Sequence, residues 1–128
     1  MNKVILTGRL TRDPELRYTQ SGKAVASFTL AVDRHISKQN QREGQLTADF
    51  VPCIAWESRA EFTANHLTKG SPILVEGRMQ VRTYEDQQGA THWITEVIVN
   101  GIEFNGPRPG GTQQQSAPPM ETDNEIPF

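Results

Sequence analysis

The sequence predicts a mainly β domain of five strands and one helix, followed by a tail of different character. Three observations carry this. Apolar and polar residues alternate at strand spacing through most of residues 1–105. One stretch, opening at Ser58, changes to helical spacing. Beyond Asn105 the composition turns to Gly, Pro and Gln.

The elements follow in order. Residues 2–10 are β-branched and apolar up to Gly8. After the Asp13-Pro14 break, Gln20-Ser21-Gly22 turns the chain into a second strand at 23–34. There Ala24, Ala26, Phe28, Leu30 and Val32 share one face, against Ser27, Thr29 and Asp33 on the other. Residues 47–56 form a third strand, in which Pro52 signals an edge or a bulge because it has no N–H for the ladder. Ser58 and Glu61 read as a capping box, Ala60, Ala64 and Leu67 as the apolar side of the helix, and Lys69-Gly70 as its stop. Strands at 73–85 and 91–104 complete the domain, joined by a hairpin at Asp86-Gln87-Gln88-Gly89, the last strand bending near Asn100-Gly101. Three strands, a helix and two strands is the order of the OB-fold, a five-stranded Greek-key barrel whose face and loops hold oligonucleotides or sugars.

Residues 106–120, with Gly106-Pro107-Arg108-Pro109-Gly110-Gly111, Gln113-Gln114-Gln115 and Pro118-Pro119, read as a disordered linker. About 15 flexible residues span roughly 20 Å. Residues 121–128 form an acidic tip. The chain has 13 Lys+Arg against 15 Asp+Glu. The excess acid belongs to Glu121, Asp123 and Glu125, so the folded part is neutral. A nucleic-acid site on it must come from sorting charges rather than from a basic total.

Catalysis and metal binding find no support. His35, His66 and His92 lie far apart in sequence, without a second His or Cys at ligand spacing, and no phosphate loop or nucleophile elbow is present. The chain reads as a non-enzyme without cofactor or metal. Cys53 lies in an apolar run and reads as a core residue, which fits a reducing cytoplasm. The N-terminus has no signal-peptide pattern and no run is long enough to span a membrane, so the expected location is cytoplasmic, with the nucleoid.

Candidate binding residues lie in the fourth strand, where the alternative is an ordinary wet face opposite a core face. Ile73, Val75, Gly77, Met79 and Val81 alternate with Glu76, Arg78, Gln80, Arg82 and Tyr84. Cations interleaved with an exposed ring suit a single strand: the cations follow phosphates and the ring stacks on bases. Phe50 and Trp56 add two rings in the third strand, at least one of which reads as core. The tip Asp123-Asn124-Glu125-Ile126-Pro127-Phe128 ends on a compact apolar group at the free carboxylate. That end suits capture in a partner's pocket, where Pro limits the entropy lost on docking.

Asn2-Lys3-Val4-Ile5-Leu6-Thr7-Gly8-Arg9-Leu10, Asp13-Pro14-Glu15-Leu16-Arg17-Tyr18, residues 24–31, Lys69-Gly70-Ser71, Glu76-Gly77-Arg78, Thr95-Glu96-Val97 and the acidic ending resemble the bacterial single-stranded DNA-binding protein family. The resemblance implies a homotetramer that wraps single-stranded DNA and a tail that docks replication, recombination and repair proteins. It implies that Phe50, Trp56 and Tyr84 stack on bases and that Lys3, Arg17, Lys69 and Arg82 lie along the DNA path; Arg34 and Arg78 complete the candidate set. Ile36 stands where some members have Trp, and Pro52 and Gln80 where many have cations. The alternative is an oligomeric OB-fold adaptor that acts mainly through its tail.

Overall fold

The computed structural model describes residues 1–35 and 47–107. Expectations for Ile36 and for the tail from Arg108 onward lie outside the described residues. Among the described residues six strands and one helix run in the order β1 (Val4–Leu10), β2 (Glu15–Tyr18), β3 (Ala24–Asp33), β4 (Ala48–Trp56), α1 (Ser58–His66), β5 (Pro72–Glu85) and β6 (Thr91–Phe104). The strand that sequence reading missed is β2. Past the Pro14 break, Leu16 packs against the core and the segment pairs with β3 from Glu15↔Ser27 to Tyr18↔Ala24. With β2 counted, the helix follows the fourth strand rather than the third.

The sheet order is β1-β5-β6-β4-β3-β2, and β1 also pairs with β3 at Arg9↔Ala31 and Leu10↔Leu30. All pairings are antiparallel except β4 with β6, which meet at Cys53↔Val97 and Ile54↔Ile98. The β5–β6 register slips between Glu76 and Gly77, leaving Asn100 unopposed, which is the bend expected near Asn100-Gly101. A Cβ at Gly77 would run into the Ile98 carbonyl, so only glycine lets the strands approach there. Gly89 closes the hairpin at φ 83°.

The inward faces build the core. Ala24, Ala26, Phe28 and Leu30 of β3 meet Cys53 and Ala55 of β4, Ile73 and Val75 of β5, and Val97 and Val99 of β6. Pro52 belongs to an internal strand rather than an edge one, but it pairs only with Thr29 of β3, since the contact with β6 starts at Cys53. Cys53 is fully buried, and burial pushes its thiol up to about 12.

The helix corrects two details. Glu57 alone separates β4 from α1, at φ 59°, and no side chain caps the first turn; Ser58 is already helical, so the expected capping box does not form. The buried side is Ala60, Thr63 and Leu67, with Thr63 in place of Ala64. Thr63 is accommodated because its Oγ1 donates to the Arg59 carbonyl at 2.7 Å. The helix stops at His66 with Leu67 extended, and Gly70 serves a later turn, where the Ser71 N–H donates to the Thr68 carbonyl. Among the described residues no helix is long and apolar enough to cross a membrane.

Candidate nucleic-acid interface

Because side chains alternate across a sheet, register decides which candidates share a face. The core takes the odd positions of β4 and β5, leaving Phe50, Pro52, Ile54 and Trp56 outward on β4, and Glu76, Arg78, Gln80, Arg82 and Tyr84 outward on β5. Two rows run across the strands. Arg17, Val25 and Trp56 are aligned on β2, β3 and β4. Glu15, Ser27, Ile54, Ile98 and Arg78 are aligned from β2 to β5. Lys3 reaches the same outward side from the start of β1, where it pairs with Glu76.

The three rings stand in solvent: Phe50 is 57% exposed, Trp56 39% and Tyr84 46%. The expectation that Phe50 or Trp56 belongs to the core is therefore corrected; the ring of the core is Phe28. Alternation could not reveal this, because the outward row of β4 is itself apolar at Pro52 and Ile54. Large apolar side chains left exposed in a common face are the informative kind of exposure, the kind that marks a binding surface. Where β4 and β6 part, Phe50, Pro52, Met79, Glu96 and Val97 border an apolar-walled cleft of about 360 Å3.

Tyr84 lies flat against His92 of β6, with ring centroids 5.1 Å apart and planes 20° from parallel. His92 Nε2 lies 2.7 Å from Asp86 Oδ2, and Asp86 Oδ1 accepts from the Gln88 and Ala90 N–H groups at 2.9 Å each. One carboxylate thus closes the turn and orients the ring behind Tyr84. The His92 contact and the turn N–H groups hold the Asp86 carboxyl below its ordinary value.

The cations are not free. Arg17 pairs with Glu15 at 3.0 Å, Arg34 with Asp49 at 2.8 Å and Arg82 with Glu96 at 2.9 Å, while Lys3 pairs with Glu76. Only Arg78 and Lys69, of the six candidates, have side chains without a carboxylate partner among the described residues. Glu96 is the unusual member. It is 4% exposed and accepts from Gln80 Nε2 at 3.2 Å as well as from Arg82 Nε. Holding Arg82 through Nε leaves the end of the guanidinium to the surface beside Tyr84.

The candidates do not all converge. Arg34 lies past the end of β3, and Asp49, its partner, follows the inward alternation of β4, so this pair sits at the rim away from Phe50. Lys69 belongs to the turn after α1, where its backbone N–H donates to Asp13 Oδ1 at 2.8 Å. Sequence reading passed over Arg9, which register aligns with Ala31 and Phe50, and the carboxylates Glu15, Glu76 and Glu96. The Lys3–Glu76 partners are 73 residues apart, so no local signal could have found them. His35 and His66 are exposed, and His66 packs beside Phe62 at 4.9 Å. No group of three His, Cys, Asp or Glu able to hold a metal occurs among the described residues.

Comparison with known proteins bears on this face. Residues 1–105 match the model of the single-strand binding protein family. The chain is 50% identical over 117 residues to a single-stranded DNA-binding protein of Bacillus cereus, covering 91% of this chain and 67% of that one. It is 50% identical over 111 residues to single-stranded DNA-binding protein A of Bacillus subtilis, covering 87% and 63%. With the protein of the same name from Lactiplantibacillus plantarum the identity is 47% over 117 residues, covering 91% and 57%. The chain spans about two thirds of the length of the first two relatives. A match over most of the chain, on a fold that turns three rings and their cations outward, shows that the chain belongs to the single-strand binding protein family.

Proposed function

We propose that this chain binds single-stranded DNA without sequence specificity and protects it during replication, recombination and repair. The observation that carries the reading is the outward placement of Phe50, Trp56 and Tyr84 on one sheet, interleaved with Arg17, Arg78 and Arg82. The names of its relatives supply the ligand class. Bases stack on the rings, at about 1–3 kcal/mol each, and the cations meet the phosphates. Every base has a flat face, so stacking does not read sequence. Closure of the five longer strands into an OB barrel is part of this reading, and the pairing of β1 with β3 at Arg9 and Leu10 supports it.

Assembly into a homotetramer, in the cytoplasm, belongs to the same reading. Among the described residues no strand pairs with the edge of β1 at residues 4–8 that faces away from β5, and Ile5 beside it is 61% exposed. Met79, Val81 and Trp93, inward-facing by register, are also exposed and suit contact between subunits. The tip from Asp123 to Phe128 recruits the proteins that work on the bound strand.

Titration with oligo-dT, following Trp56 and Trp93 emission, tests DNA binding. Quenching at low salt that weakens steeply as salt rises is expected; no quenching, or equal affinity for duplex, contradicts the reading. A second reading, an OB-fold adaptor working mainly through its tail, is favoured by the carboxylate partners of four candidate cations. Replacing Phe128 separates the two. A DNA binder keeps its affinity and loses partner proteins, whereas an adaptor shows partner binding with no DNA signal to begin with.

A further inference from the structure

Two ion pairs on the outward face stand where a strand would pass. Arg17 and Glu15 are both largely exposed, in the rows that carry Trp56 and Arg78. Lys3 and Glu76 are half-exposed, and Glu76 lies two residues before Arg78 on the same side of β5. Neither carboxylate is needed for the core, and among the described residues neither accepts a hydrogen bond from anything but its cation. Exposed pairs of this kind contribute little stability. Their effect on a ligand is larger, because they cancel the charge that would draw a polyanion to the rings.

We propose that Glu15 and Glu76 are selectivity-determining residues, which keep the ring-bearing face neutral so that nucleic acid binds only if it also lays bases on Phe50, Trp56 and Tyr84. The inference rests on the single-strand reading above. A duplex presents phosphates with its bases stacked inside, so electrostatic attraction is nearly all it can gain. It also carries one charge per ~1.7 Å of axis against ~3.4 Å for one strand, so a given carboxylate repels it about twice as strongly. At about 0.1 M salt the interaction reaches roughly 10 Å, enough for each carboxylate to act on several phosphates. Glu96 is a positioning residue and differs: it is buried and seats Gln80 and Arg82, so its loss would disturb the face as well as its charge.

An exposed charge of this kind is worth about a twofold to threefold change in affinity for a single strand, and doubling the repulsion squares that factor for a duplex. The test is the double variant Glu15→Gln/Glu76→Gln in the full chain. Binding of labelled oligo-dT and of a duplex of equal length is measured by anisotropy at about 0.1 M salt. Oligo-dT affinity should rise about fivefold and duplex affinity about 25-fold, so that preference for the single strand falls about fivefold. Glu61→Gln, on the exposed side of α1, removes one negative charge away from the sheet face and should leave the preference unchanged. A wild-type preference that the double variant keeps undiminished overturns the inference alone, as does an equal fall in Glu61→Gln. Wild type that binds both ligands equally overturns the single-strand reading itself, and this inference with it.

Discussion

Phe50→Ala separates binding from folding most cleanly. The residue is 57% exposed, so less than half of it is removed from water. Full burial of a Phe side chain is worth about 1.5–3 kcal/mol, which leaves about 1 kcal/mol of folding stability at stake. If a base stacks on the ring, truncation costs about 1–3 kcal/mol of binding, a loss of roughly 5-fold to 150-fold in affinity. Urea unfolding gives the first quantity and anisotropy with labelled oligo-dT the second. Affinity unchanged within twofold, together with a stability loss above about 2.5 kcal/mol, would show a packing residue and refute the reasoning.

Three further outcomes follow from the geometry. Gly77→Ala drives a Cβ into the Ile98 carbonyl and should cost about 2–4 kcal/mol in urea unfolding, with the β5–β6 pairing its site of action. Cys53 should resist iodoacetamide at pH 8 until the chain unfolds. Its folded value near 12 lies above its unfolded one, so the unfolded state loses the proton first, and stability should fall as pH rises from about 9 towards 12. Asp86 has the opposite sign: its carboxyl is held below the ordinary range, so its support of the hairpin is complete above that range and lost as pH falls through the folded value. Loss of protection of the Gln88 and Ala90 amides in acid, measured relative to their intrinsic exchange rates and absent as a pH effect in Asp86→Asn, is the expected signature.

The parts of the fold that sequence exposed are those where the two sides of an element differ chemically. Residues 24–33 alternate between core and polar sides, and the strand lies as expected. Alternation says nothing of where the opposing layer ends. On β5 it continues unbroken through Met79 and Val81, yet both are about half exposed because the hairpin outruns the core. Phe50 and Trp56 are illegible for a different reason: an outward face built of rings is as apolar in sequence as a core. The short β2 was hidden behind the Asp13-Pro14 break. The cations were visible as cations, but their carboxylate partners were not. Arg82 and Glu96 are 14 residues apart and meet only through the β5–β6 register. Sequence neutrality thus has a local form, in which opposite charges are paired side by side rather than sorted into separate faces.

Photocrosslinking of a substituted oligo-dT, mapped by mass spectrometry, tests most directly whether the outward face binds the strand. At 69% exposure Trp93 is the most exposed of the Phe, Trp and Tyr rings among the described residues, and it lies on the opposite side of the β5–β6 hairpin from Tyr84. Crosslinks at Phe50, Trp56 and Tyr84, with little at Trp93, are predicted. Crosslinks concentrated at Trp93, with the three outward rings unmarked, would contradict the account.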